Sequence, residues 1–113
     1  MTYSKNKRQI GDIFEKIVLK KLGKGFYKTA GSGSVWKDGD IKHSSLVIEC
    51  KVKNTSSSFS ITKKEMDHLL KQADLQGKDW LFIEKNSDGR ILVLLELDTF
   101  LETAEKWLND KRT

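Results

Sequence analysis

The chain alternates between stretches whose apolar residues recur every three or four positions and stretches that are apolar at every position or every second one. The first pattern predicts amphipathic helices and the second predicts strands. Three helical and five strand-like segments follow one another in the order α-β-β-β-α-β-β-α. This order predicts an α/β (α+β) fold with a mixed five-stranded sheet flanked by helices. We expect residues 1–113 to form one domain.

The three predicted helices have recognisable ends. The first covers Lys5–Leu22 and ends at Gly23. The second follows Thr62, whose side chain is expected to form a capping box with the glutamate three residues later, and it ends at Gly77. Asp98 is expected to cap the third helix.

The predicted strands are short and are separated by turn-forming residues. The second and third are expected to form a hairpin, and a glycine-rich segment before them predicts a mobile loop at residues 30–36. The fifth is very apolar, which fits either a buried central strand or an interface between two subunits. The predicted strands cover residues 26–29, 40–42, 46–53, 80–83 and 91–95.

Charge is distributed unevenly along the chain. The formal net charge is +5, and residues 1–28 contain eight basic and two acidic residues, so this segment alone carries +6. A basic segment fits the phosphate backbone of a nucleic acid, and it fits a solvated helix face equally well.

The remaining composition indicates a soluble protein of a reducing compartment. Cys50 is the one cysteine of the sequence, so no internal disulfide forms. The N-terminal residues have no apolar run that predicts a signal peptide, and no segment approaches the length of a membrane span. We therefore expect a cytoplasmic protein with no membrane partner.

The strand predicted at residues 46–53 has one apolar and one charged face, because residues two apart share a face. Cys50 falls on the apolar face and is expected to be a small buried hydrophobic residue. Glu49, Lys51 and Lys53 fall on the opposite face together with Val47.

The predicted hairpin places two carboxylates opposite each other. A turn centred on its two serines makes Lys42 face Val47 and Asp40 face Glu49. Opposed carboxylates repel each other, and a bound Mg²⁺ would compensate, with the Cys50 carbonyl as a further oxygen ligand. The alternative is a slipped register in which both carboxylates are solvated.

Lys51, beside this pair, has two interpretations. It either neutralises the carboxylates, or it orients a metal-bound water and stabilises charge on a phosphate.

One spaced set of residues resembles the PD-(D/E)XK nuclease motif, with glycine where the family name has proline. The set consists of Gly39-Asp40, eight further residues and Glu49-Cys50-Lys51. Gly11 to Glu15 resembles the Gly-x-x-x-Glu helix motif of the Holliday junction resolvases of archaea and their phages. Residues 30–33 resemble the serine loop of that family. The resemblance extends over about residues 7–83.

This resemblance implies a restriction-endonuclease-like fold and a homodimeric Mg²⁺-dependent endonuclease, with Mn²⁺ as a substitute, that resolves four-way DNA junctions. It implies a bacterial, archaeal or phage-infected cell as the setting. Ser34 is an alternative to Ser32 as the loop serine, and an ordinary edge-of-stripe glutamate is the alternative for Glu15. The implied catalytic residues are Glu15, Ser32, Asp40, Glu49 and Lys51, and the implied metal ligands are Asp40, Glu49, Glu15 and Cys50.

Basic, serine and aromatic residues near these motifs are candidates for DNA contacts. The two loop residues Trp36 and Lys37 either contact DNA or pack on the domain. Two other functions stay open: a nicking or general endonuclease without junction specificity, and a non-catalytic DNA-binding module. The candidate DNA-binding residues are Lys5, Lys7, Arg8, Ser32, Ser34, Trp36, Lys37 and Lys53.

Overall fold

The structure, a computed structural model, describes residues 7–28 and 41–112, with side chains for 9–28 and 41–105. Its elements follow the predicted order. Within the described ranges, none of the helices has the length and apolar character that crossing a membrane requires. The elements are α1 (Lys7–Leu22), β1 (Tyr27–Lys28), β2 (Ile41–Lys42), β3 (Leu46–Val52), α2 (Lys63–Gln76), β4 (Asp79–Lys85), β5 (Ile91–Leu94) and α3 (Leu97–Arg112).

The five strands form one mixed sheet in the order β1-β2-β3-β4-β5. Neighbouring strands are antiparallel except for β3 and β4, which are parallel because α2 carries the chain back between them. The strands β1 and β5 are therefore the two edges, and β3 is the central strand.

The described part of the β2–β3 hairpin has the predicted register. Ile41 pairs with Ile48, and Lys42 pairs with Val47. Asp40 lies outside the described residues, so its position opposite Glu49 stays a prediction.

Each face of the sheet packs against one helix. Residues of β3 alternate between the two resulting cores, as expected for a central strand covered on both faces. The core on the α1 side contains Phe14, Val18, Ile41, Ile48 and Ile83. The core on the α2 side contains Val47, Leu69, Ala73, Trp80 and Phe82.

Helix α2 begins with the predicted capping box. The Thr62 backbone N–H donates to Glu65 Oε1 over 2.9 Å, and the Glu65 backbone N–H donates to Thr62 Oγ1 over 3.1 Å. The helix ends at Gly77, whose φ of 63° lies in the left-handed region that glycine adopts without strain. The cap fixes where the Glu65 carboxylate sits at the start of the helix.

The C-terminal part of the chain differs from the prediction in two respects. Helix α3 begins at Leu97, because the Phe100 N–H bonds the Glu96 carbonyl over 3.0 Å. The prediction that Asp98 is the cap is wrong; Asp98 lies in the first turn, where its charge still complements the helix dipole. Strand β5 is an edge strand, so the interpretation of this run as a central strand is wrong.

Candidate functional site

Glu49 and Lys51 lie together on the α2 side of β3. Their cross-strand neighbours on β4 are Phe82 and Glu84, respectively. Both side chains line a cavity of about 160 Å³ between the sheet and α2. The predicted sharing of one face by Glu49 and Lys51 is confirmed. The cavity lining consists of Glu49, Cys50, Lys51, Glu65, His68 and Phe82.

Lys51 forms an ion pair with a helix residue that sequence reasoning did not place in the site. Its Nζ lies 2.9 Å from Glu65 Oε1, and the two side chains are 30% and 34% exposed. Burial alone would raise the pKa of the Glu65 carboxyl. Hydrogen bonds from Thr62 and Lys51, together with the Lys51 charge, hold that pKa below its ordinary value of 4.5. Glu65 is therefore a carboxylate at neutral pH and a stable counter-ion for Lys51.

The side chain of Cys50 turns to the other face of the sheet, as its position in the strand predicts. It packs against the core on the α1 side and is half-buried rather than fully buried. Its backbone carbonyl as a metal ligand stays a prediction.

Glu15 lies on the α1 side of the sheet. Its Oε2 is 3.9 Å from Lys28 Nζ, which is also 3.5 Å from Asp12 Oδ1. Lys28 pairs with Ile41, a residue of the core on the α1 side, so this charged group belongs to that face. The described residues thus do not bring Glu15 to the face that carries Glu49, and its role as a metal ligand stays a prediction.

A complete metal site is not present among the described residues. No three of their His, Cys, Asp or Glu side chains are grouped so that they could hold a metal ion. Asp40, the other principal ligand that the resemblance implies, lies outside the described residues. The candidate site is therefore defined by Glu49, Lys51 and Glu65.

Lys53, a candidate DNA-binding residue, is engaged inside the protein. Its Nζ lies 3.6 Å from Glu84 Oε1, and it also bonds the Ser60 hydroxyl and the Ser58 carbonyl. The Lys53 side chain is 16% exposed. A contact between Lys53 and DNA would require this lysine to leave Glu84.

Glu84 is a buried charged residue that sequence reasoning missed. It is 2% exposed, and its Oε1 accepts a hydrogen bond from the Ser60 N–H over 2.9 Å. The predicted strand stopped at Ile83, whereas parallel pairing with β3 extends β4 to Lys85. The alternation of faces along this longer strand is the signal that would have put Glu84 on the same face as Phe82, and the parallel register of β3 with β4 then places it beside Lys51.

The basic N-terminal segment is described in part. Lys16, Lys20 and Lys21 are exposed on α1, which covers the face opposite Glu49 and Lys51. For Lys7 and Arg8 the structure describes only a helical backbone. The remaining candidate residues outside the described ranges are Lys5, Ser32, Ser34, Trp36 and Lys37.

Comparisons of the chain with protein-family models, curated proteins and solved structures give no match. The resemblance to PD-(D/E)XK nucleases therefore rests on the residues of this chain alone.

Proposed function

We propose that the chain is a Mg²⁺-dependent DNA endonuclease of the PD-(D/E)XK type, with Asp40, Glu49 and Lys51 at its centre. The observation that carries the proposal is the placement of Glu49 and Lys51 side by side in a cavity on one face of β3. The register of the described hairpin supports it, because the same register, if it continued by one pair, would set Asp40 opposite Glu49.

The chemistry of the donor set fits Mg²⁺. Carboxylate and carbonyl oxygens are the ligands that this ion takes from proteins, and the proposed ligands are Asp40, Glu49 and the Cys50 carbonyl. The Lys51 ammonium beside them is matched by Glu65 at 2.9 Å, so the nearby positive charge already has a counter-ion. When bound, Mg²⁺ would lower the pKa of a coordinated water and stabilise charge that develops on the phosphate.

The residues of the chain have separate tasks in this mechanism. Glu49 and Asp40 hold negative charge at the place where a cation is needed. Lys51 donates hydrogen bonds to the attacking water or to a phosphate oxygen, which stabilises the transition state electrostatically. Ser32, with Ser34 as the alternative, positions the scissile phosphate.

Glu15 enters the proposal as an outer residue of the site. The resemblance to junction resolvases gives it a place in the metal site, reached through water. To act in the metal site, Glu15 would have to leave its ion pair with Lys28 on the α1 side of the sheet.

The proposed substrate is a four-way DNA junction. Preference for a junction rests on the resemblance to the junction resolvases, since the described residues contain no feature that reads branched DNA. A nuclease that cuts ordinary duplex and a module that binds DNA without cutting it are the two other outcomes of the test below.

The test uses purified protein with a labelled four-way junction and a linear duplex of matched sequence, with and without Mg²⁺. We expect paired, symmetric nicks in the junction that require Mg²⁺, and little cutting of the linear duplex. Equal cutting of both substrates would refute junction resolution and support a general endonuclease activity. DNA binding without cleavage, in both Mg²⁺ and Mn²⁺, would refute the proposed endonuclease activity.

The proposal includes a homodimer, and the structure has a surface suited to it. Strand β5 is an edge strand whose apolar side chains are about half exposed, with Val93 at 52%. Helix α3 follows directly and has no extended packing against another element in the described part of the chain. We call this surface the apolar edge. It consists of Leu92, Val93, Leu94, Leu97, Phe100 and Leu101.

An exposed apolar strand at a sheet edge normally indicates an interface, because it otherwise promotes uncontrolled association. A second copy of the chain can pair its own β5 with this strand and cover both apolar edges through one twofold axis.

We expect Val93→Glu to weaken self-association by about tenfold or more, because it places a charge at the centre of an apolar contact. Sedimentation equilibrium over a range of protein concentrations measures the change. Leu75→Glu is the matched control, since Leu75 is 66% exposed on α2, outside the apolar edge, and should leave the dimer intact. A wild-type chain that is monomeric at every concentration would refute the homodimer.

A further inference from the structure

One carboxylate oxygen joins the start of α2 to the candidate site. Glu65 Oε1 accepts a hydrogen bond from the Thr62 N–H and another from Lys51 Nζ, both over 2.9 Å. The Glu65 backbone N–H is tied in turn to Thr62 Oγ1. The carboxylate is thus held by the helix cap before any ligand binds, and it presents its charge to Lys51 from a fixed position.

We propose that Glu65 is a positioning residue of the Glu49–Lys51 site, which turns the Lys51 ammonium towards α2 and keeps it from competing with a cation for Glu49. This inference rests on the proposed function. Glu65 contacts Lys51 and acts through it; it is not assigned to the metal or to DNA.

The geometry of β3 makes such competition a real alternative for Lys51. Glu49 and Lys51 are two residues apart on one face of a strand, so their Cα atoms are about 7 Å apart and a lysine side chain can span that gap. Without the charge of Glu65, two described carboxylates of the sheet remain near Lys51: Glu84 on β4, which is already paired with Lys53, and Glu49 on the same strand. An ammonium paired with Glu49 would oppose the binding of a divalent cation there.

The cap and the ion pair of Glu65 can be separated by substitution. Glu65→Gln keeps an oxygen that accepts from the Thr62 N–H but removes the charge that attracts Lys51. Thr62→Ala removes the hydroxyl that caps the helix and leaves the Glu65 carboxylate in place. A role limited to helix capping predicts that Thr62→Ala has the larger effect on the site, and positioning of Lys51 predicts that Glu65→Gln has it.

The experiment measures Mn²⁺ binding to DNA-free protein by isothermal titration calorimetry, with single-turnover DNA cleavage as a second readout. We expect Glu65→Gln to weaken Mn²⁺ binding by about tenfold, the size typical of coupling within one charged network. Thr62→Ala should stay within about twofold of wild type, because the ion pair survives it. Asp67→Asn, which removes an exposed carboxylate of α2 paired with Lys63, is the matched charge control.

The decisive comparison is made in a Lys51→Met background. If Glu65 acts through Lys51, adding Glu65→Gln there should leave Mn²⁺ affinity unchanged, because no ammonium remains to be released. An equal loss of affinity in both backgrounds would overturn the proposal and make Glu65 a ligand or a purely structural residue. Wild-type affinity in the Glu65→Gln single variant would overturn it as well.

Failure of this inference differs from failure of the proposed function. A wild-type protein that binds no Mn²⁺ and shows no Mg²⁺-dependent cleavage overturns both. A different result overturns the positioning role alone: the wild-type protein cleaves DNA, but Glu65→Gln either leaves Mn²⁺ affinity unchanged or lowers it equally with and without Lys51.

Discussion

Asp40→Asn and Glu49→Gln should each lower the rate of Mg²⁺-dependent DNA cleavage by at least about 10²–10³-fold, the loss typical of removing one group that stabilises transition-state charge. Each change removes a charge proposed to hold the cation while keeping the size of the side chain. DNA affinity should remain close to wild type, because neither carboxylate attracts a phosphate. Single-turnover cleavage measures the first effect, and binding to labelled DNA without divalent cation measures the second.

Asp67→Asn provides the charge-matched control for this pair of variants. Asp67 is an exposed residue of α2 whose Oδ2 lies 2.7 Å from Lys63 Nζ, and its loss should leave cleavage unchanged. Cleavage that survives either Asp40→Asn or Glu49→Gln would remove that residue from the metal site. Glu15→Gln adds a further arm: a loss as large as that of Glu49→Gln would show that Glu15 reaches the metal despite its ion pair with Lys28.

The part of the site that could be predicted from sequence depends on local geometry alone. The two-residue period of a strand puts Glu49 and Lys51 on one face and Cys50 on the other, whatever the rest of the fold does. The short connection between β2 and β3 fixes the pairing of Lys42 with Val47 in the same way. The capping box of Thr62 and Glu65 is equally local, because its two members are one helical turn apart.

The remaining contacts depend on how α2 and β4 return to β3, which no local pattern encodes. The Lys51–Glu65 ion pair joins a strand to the first turn of the next helix. The Lys53–Glu84 pair requires the parallel register of β3 with β4, in which Lys51 lies beside Glu84. An amphipathic pattern also does not state which face of the sheet a helix covers.

This last ambiguity matters for Glu15 and for the basic segment. Sequence order and the Gly-x-x-x-Glu pattern suggest that Glu15 joins Glu49, but the apolar stripe of α1 packs on the face opposite Glu49. The exposed lysines of α1 lie on that side as well. Contact of α1 with the same DNA that enters the Glu49 site would therefore require the DNA to pass around an edge of the sheet or to span two subunits.

Lys53→Met should lower the free energy of unfolding by about 3 kcal/mol, because it leaves the Glu84 carboxylate buried without its counter-ion. Glu84 is 2% exposed and one of its oxygens, Oε2, has no hydrogen-bond partner among the described residues, so Lys53 is the charge that makes its burial tolerable. A loss of this size is a large fraction of the stability of a small domain. Urea unfolding followed by circular dichroism measures it.

Two further variants separate this structural role from a contact with DNA. Lys63→Met removes a lysine whose side chain is 88% exposed in its ion pair with Asp67, and it should leave the free energy of unfolding close to that of wild type. The double variant Lys53→Met, Glu84→Leu should recover most of the lost stability, since an apolar pair of similar volume carries no unpaired charge. The opposite result is a Lys53→Met protein that is as stable as wild type but binds DNA more weakly. Lys53 would then be a phosphate contact, as the sequence predicts, despite its ion pair with Glu84.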